Sequence, residues 1–177
     1  LSRWTYSEAK ALDESLARAL YEQRNLKVKI IRYFNTVGPR QSPAYGMVIP
    51  RFFKAALGHQ NLIIHGTGIQ QRIFCHVDDA VNGTLALWNV DAGWGEAFNL
   101  GGFEEISIIA LAQRIIQLCG SRSETKFLAY EELRKNGFED MQRRVPNINK
   151  IKSLTGWSPK KSLDDILRDY LGYLSNT

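Results

Sequence analysis

The sequence is short of cysteine and proline and has no long apolar run, and each shortage excludes a class of protein. Two cysteines, Cys75 and Cys119, cannot build a disulfide framework. Free thiols fit a reducing, cytoplasmic setting, and that localisation is expected. Five prolines and 14 glycines in 177 residues are too few for a linker or a collagen-like repeat. The densest apolar stretch, residues 106–118, is broken by Ser107, Gln113 and Arg114, so no membrane-spanning helix is expected. His76 has no second His or Cys at a metal-ligand spacing, and no metal site is expected. Charge is present but unfocused. The 23 Lys and Arg exceed the 18 Asp and Glu by five, for a pI near 9.3. Such a balance suits nucleic acid or a small anion. Yet the basic residues are scattered apart from Arg143-Arg144 and residues 150–161, without the single-element footprint of a nucleic-acid binder. No nucleic-acid partner is expected.

What is there is an alternation of two periodicities. Residues 7–24 place Ala9, Leu12, Leu16 and Leu20 on one face of a helix that Asn25 ends. Residues 27–34, rich in β-branched and aromatic side chains, read as a strand, and 35–45 as a loop. A helix follows over 49–57, with Pro50 in its first turn and Gly58 after it. Residues 61–65 read as a strand and 66–68 as a turn. Asp78 or Asp79 is expected to cap a helix reaching Asn89. Further on come a strand over 97–100, a helix from Ser107 to Leu118 stopped by Gly120, and a strand over 125–129. A Ser162–Asp165 capping box should open a last helix over 163–174. Strands alternating with helices make the class α/β.

Tyr6 and Lys10, four residues apart at a helix start, share one face. A fixed cation near a phenol favours the phenolate and tunes it for acid–base work. As an isolated pair this is as well explained by a surface helix with a packed Tyr and a solvated Lys. Six further blocks follow in order: residues 32–40, 45–52, 66–78, 98–101, 143–147 and 156–159. Together with Tyr6–Lys10 they resemble the second half of the extended short-chain dehydrogenase/reductase enzymes that act on nucleotide sugars, and among these the bacterial UDP-glucose 4-epimerases most.

That resemblance implies a Rossmann-like fold whose N-terminal dinucleotide-binding βαβ units are not in this sequence. No G-x-G-x-x-G turn occurs, and Gly66-Thr67-Gly68 lacks a third glycine. Residues 1–45 would be the last part of the NAD-binding domain, and 46–177 mainly the UDP-sugar-binding region. The cofactor would be NAD. Tyr6 would be the acid–base, Lys10 would hold the nicotinamide ribose, and Phe34 and Thr36 would lie beside the nicotinamide. Asn35, Arg72 and Arg144 would meet the sugar diphosphate. Val48, Ile49 and Phe52 would approach the nucleotide, His65, Gly66 and Thr67 would run past the uracil, and Asn147 would reach the ribose. Without the resemblance, Phe34, Val48, Ile49 and Phe52 read as core, Arg72 as a strand-edge side chain, and Asp78-Asp79 as a helix cap. Arg144 stands out, since a guanidinium fork suits phosphate and Pro146 stiffens its loop.

The activity implied is C4 epimerisation of a UDP-hexose through a 4-keto sugar, inactive in this fragment alone, with a homodimer formed through the Tyr6–Lys10 helix. A decarboxylase or dehydratase of the same family shares the keto intermediate. Decarboxylases tend to carry Arg where Met47 stands, which favours the epimerase. A non-catalytic nucleotide-sugar-binding module is the alternative from another class.

Overall fold

The computed structural model describes residues 4–42, 47–129 and 141–176. Its elements in chain order are α1 (Trp4–Arg24), β1 (Ile30–Tyr33), β2 (Thr36–Val37), α2 (Val48–Leu57), β3 (Leu62–His65), β4 (Gln71–Ile73) and β5 (Cys75–His76). Then come α3 (Val77–Trp88), β6 (Ala97–Leu100), β7 (Glu105–Ser107), α4 (Ile108–Leu118), β8 (Thr125–Leu128), β9 (Arg143–Arg144), α5 (Asn149–Thr155) and α6 (Leu163–Ser175). The chain is α/β, as expected. The expected domain boundary between residues 45 and 46, and the end of the loop before it, lie outside the described residues.

Parallel pairing dominates. β1 pairs with β6, β2 with β5, β3 with β8, and β4 with β9, all parallel, while β7 runs antiparallel to β4. Two apolar cores result. The larger gathers Ile49, Phe52 and Phe53 of α2, Leu111 and Ile115 of α4, and Ile166, Leu167 and Tyr170 of α6. The smaller joins Phe98 and Leu100 of β6 to Ala80 and Leu87 of α3, with Ile151 of α5 and Trp157. Gly102 marks how closely the strands approach. A Cβ there would lie 1.9 Å from the Phe74 carbonyl oxygen, so no larger residue fits without moving backbone.

Helix ends explain where the chain turns. Ser107 accepts the Ala110 N–H at 3.2 Å to start α4, and Gly120 leaves it at φ +56°. The Ser162–Asp165 box opens α6, each partner bonding the other's backbone N–H. One cap differs from expectation. The α3 cap is His76, whose Nδ1 accepts the Asp78 N–H at 3.1 Å, and neither aspartate occupies that position. Asp79 is instead only 4% exposed, and its Oδ2 accepts the N–H groups of Lys160 and Lys161 at 3.0 and 2.9 Å. A carboxylate that looks like a cap thus ties α3 to the segment entering α6. No described helix is long and apolar enough to cross a membrane.

Candidate functional site

The expected site residues fall into three groups. In the first, α1 presents Tyr6 and Lys10. Tyr6 is 72% exposed, and Lys10 Nζ lies 6.0 Å from its ring centre. The ammonium is hydrogen-bonded to Asp13 at 2.8 Å, and that bond is the main cause of the raised Lys10 pKa. The spacing is as expected, but the charge is engaged by an aspartate one turn on rather than by the phenol. α1 itself is held by Arg32, which grips Glu14 through two nitrogens at 2.7 and 2.5 Å.

The second group surrounds the crossing from β1 to β2. Asn35 sits at φ +40°, a left-handed conformation that Asn tolerates. Its carbonyl accepts the Cys75 N–H at 3.2 Å and its Nδ2 donates to the Ile73 carbonyl at 2.6 Å. One amide N–H is left over. Thr36 Oγ1 is buried without a hydrogen-bond partner. Thr36 also lines an apolar groove of about 530 Å³ against Val77, Val81 and Leu85 of α3. Phe34 carries the Arg144 guanidinium 5.4 Å above its ring.

The β4–β9 ladder sets Arg72 directly opposite Arg144. Like charges facing across a ladder repel, and Arg72 is only 9% exposed. One of its nitrogens donates to the Gln71 carbonyl at 2.7 Å. The next residue shows a different arrangement. Arg143 is gripped by Glu105 through two bonds of 2.8 and 2.9 Å, whereas no carboxylate among the described residues pairs with Arg144. The register thus sets two guanidinium-bearing residues side by side, one of them over the Phe34 ring. Asn147 lies just beyond, where its Oδ1 accepts the Asn149 N–H at 2.9 Å and starts α5, leaving its NH2 to donate.

The third group spans α2 and the β3 turn. Ile49 and Phe52 are fully buried in the larger core and Val48 packs against it. They set the position of α2, with Ile49 and Phe52 turned into the core and Val48 half-buried at its edge. The turn after β3 places Gly66 and Gly68 at φ +68° and +76°, with Thr67 exposed between them. His65, at the end of β3, accepts from a residue the sequence reading passed over. Arg51 Nη1 lies 3.3 Å from His65 Nε2, and Arg51 Nη2 donates to the Ile63 carbonyl at 3.2 Å. The available signal was a lone cation inside the apolar run 48–53.

Compared with models of protein families, residues 2–170 match the family described as GDP-mannose 4,6 dehydratase. The chain belongs to this family. Among curated relatives, the UDP-N-acetyl-alpha-D-glucosaminuronate decarboxylase of Bacillus cytotoxicus is 38% identical over 168 residues, 94% of this chain and 52% of the relative. The UDP-glucuronic acid 4-epimerase of Bacillus cereus, solved with UDP-glucuronic acid and NAD, superposes with a TM-score of 0.82. It is 29% identical, over 92% of this chain and 50% of that one. The UDP-glucose 4-epimerase of Thermotoga maritima, solved with UDP-glucose, gives a TM-score of 0.86 at 27% identity, over 97% of this chain and 53% of that one. The chain therefore spans about half the length of these relatives. The match agrees with an extended short-chain dehydrogenase/reductase acting on nucleotide sugars.

Proposed function

We propose that this chain is the UDP-sugar-binding half of an NAD-dependent UDP-glucose 4-epimerase, interconverting UDP-glucose and UDP-galactose with a separate dinucleotide-binding half. The observation that carries the reading is the Arg72–Arg144 register with Asn35 beside it. Two guanidinium groups facing across one register repel, and a sugar diphosphate offers oxygens to both and to the Asn35 amide.

The residues at the nicotinamide end fit the cofactor: a Tyr–Lys pair one turn apart, the orphaned Thr36 hydroxyl and the adjoining groove. Bound NAD would supply a hydride acceptor and donor. Tyr6 takes the proton of the sugar 4-hydroxyl as C4 is oxidised, and returns it when C4 is reduced from the other face. Lys10 exchanges Asp13 for the ribose hydroxyls, at little cost for an exposed pair. Arg72, Arg144 and Asn35 hold the diphosphate, and Asn147 donates to the ribose of the uridine. Nothing in the 177 residues supplies a Gly-rich pyrophosphate turn, so the chain alone is inactive in this reading. Two copies associate through the exposed stripe of α1.

A second reading, decarboxylation of a UDP-uronic acid, is favoured by the 38% identity to the Bacillus cytotoxicus enzyme. Met47 opposes it, because an uncharged side chain there gives a uronate no counter-charge. A plain binding module would bind the nucleotide sugar and turn over nothing. Calorimetric titration with UDP tests the site: Arg144→Ala should weaken binding roughly ten- to a hundredfold, and Lys161→Ala should leave it unchanged. Equal effects would remove the diphosphate assignment. With the dinucleotide-binding half restored, UDP-galactose formed from UDP-glucose supports the epimerase, CO2 released from UDP-glucuronate supports the decarboxylase, and neither supports the module.

A further inference from the structure

Of the three histidines only His76 is buried, at 2% exposure, and the chemistry proposed above does not use it. Its Nδ1 accepts the Asp78 N–H at 3.1 Å as the cap of α3. A nitrogen that accepts carries no proton, so the ring is neutral with its hydrogen on Nε2. Nε2 is buried without a hydrogen-bond partner, and a carboxylate oxygen of Asp169, on α6, stands 3.4 Å from it. The Asp78 carboxylate stands 3.5 Å from Nδ1.

The other charged groups around the ring are already engaged. Asp79 of α3 holds the Lys160 and Lys161 N–H groups, and the Lys161 ammonium donates to Asp169 at 3.0 Å. β2 brings only Thr36 and Val37. Burial pushes the neighbouring Cys75 thiol up to about 12, so it stays uncharged. The ring therefore has two arrangements open to it. Neutral, it accepts from the backbone of α3. A proton added at Nδ1 removes the accepting lone pair and sets two N–H groups against each other, so the cap must let go. The charged ring then carries an N–H on each nitrogen, with the Asp78 carboxylate on one side and the Asp169 carboxylate on the other.

Nearby backbone is coupled to this choice. His76 lies opposite Val37 in the β2–β5 pair. Val77, the first residue of α3, packs so tightly on the end of β2 that a Cβ at Gly38 would lie 2.5 Å from Val77 Cγ1. Val77 and Thr36 both line the apolar groove.

We propose that His76 is a proton-operated latch: neutral, it caps α3 and holds the Thr36 side of the groove, and protonated, it frees the first turn of α3 and bridges Asp78 to Asp169. The latch is built into the fold and does not depend on which ligand the chain takes.

The test follows the chain by NMR from about pH 8 to about pH 5, the range in which histidines change charge. It compares wild type with His76→Asn, whose amide oxygen can cap without titrating, and with Asp169→Asn. Imidazole 15N shifts read the ring, and hydrogen-exchange protection of the Asp78 amide reads the cap. In wild type, the proton should sit on Nε2 at the upper end of the range. Protection should then fall roughly tenfold in step with ring protonation, and the Val37 and Gly38 amide shifts should move with the same midpoint. His76→Asn should keep its protection and those shifts level across the range. Asp169→Asn, which removes one acceptor of the charged ring, should move the midpoint to lower pH. A proton on Nδ1 near pH 8 overturns the proposal. So does a ring that titrates with the cap intact, a ring that stays neutral throughout, or an equal loss of protection in His76→Asn. If His76→Asn does not fold, a midpoint unmoved by Asp169→Asn overturns it.

Discussion

In α4, Ile108, Leu111, Ala112 and Ile115 are sunk in the larger core, while the Leu12, Leu16 and Leu20 stripe of α1 lies open to solvent. Both helices show an apolar face, and α1, at 21 residues, is nearly twice as long as α4 with 11. Yet no residue of α1 is buried. Periodicity states which face a helix would bury and is silent on whether a partner is present. α4 has α2 and α6 to pack against. α1 is tied down at isolated points, by Arg32 on Glu14 and by Tyr21 lying over Gly95. Stability therefore resides in the α2–α4–α6 core, and α1 is positioned rather than packed.

The largest expected effect comes from the packed side of that contrast. Leu111→Ala should destabilise the chain by about 2–5 kcal/mol, because a fully buried leucine leaves a cavity among helices that cannot close fully around it. A denaturant titration checks this. A loss under about 1 kcal/mol would mean that the core is looser than its burial implies.

Next in size is the tie between α3 and the segment entering α6. Asp79→Ala strands two backbone N–H groups that the carboxylate now satisfies, and should cost about 1–3 kcal/mol. Both bonds go to the same oxygen, so Asp79→Asn can keep them with its amide carbonyl and should cost clearly less. Melting of both variants would separate a bonding role from a charge role, since a pure charge effect makes them equal.

This tie also shows where the sequence was legible. The Ser162–Asp165 box reads directly because its two partners are three residues apart, and the structure has it. Asp79 has the residue type of a cap, but its partners lie 81 and 82 residues away, and no local pattern reveals them. The same limit hid α5, whose one buried residue, Ile151, makes no stripe. It also hid the two-residue strands β2, β5 and β9, which are too short to show alternation. Of the candidate site, Tyr6–Lys10 and the individual arginines could be named in advance. The register that faces Arg72 with Arg144, and the reach of Arg51 to His65, are products of tertiary pairing.

A smaller effect should appear in acid. Asp164 bonds Arg114 at 2.6 Å and so joins α6 to α4. That bond holds the Asp164 carboxyl below its usual range. A carboxyl depressed by folding stabilises at pH above its unfolded pKa, and that contribution is lost as pH falls through the folded value. Both side chains are partly exposed, so screening keeps the contribution under about 1 kcal/mol. Wild type should be more stable than Asp164→Asn near about pH 6, and the difference should vanish near about pH 2. A gap that persists in acid would point to packing at this position, not charge.

The smallest effect on folding is expected on α1, where it separates the two helices most sharply. Leu16 is 58% exposed, so Leu16→Asp removes little buried area and should change monomer stability by no more than about 0.5 kcal/mol. If the stripe is instead the seat of a second copy, as proposed, the same change places a carboxylate in the middle of an apolar contact. Sedimentation of wild type should then show association that rises with concentration, and Leu16→Asp should remain monomeric with an unchanged melting profile. A wild type that stays monomeric at high concentration would leave the α1 stripe without the proposed partner. Loss of stability together with loss of association would mean that α1 is packed after all, and the contrast with α4 would be one of degree.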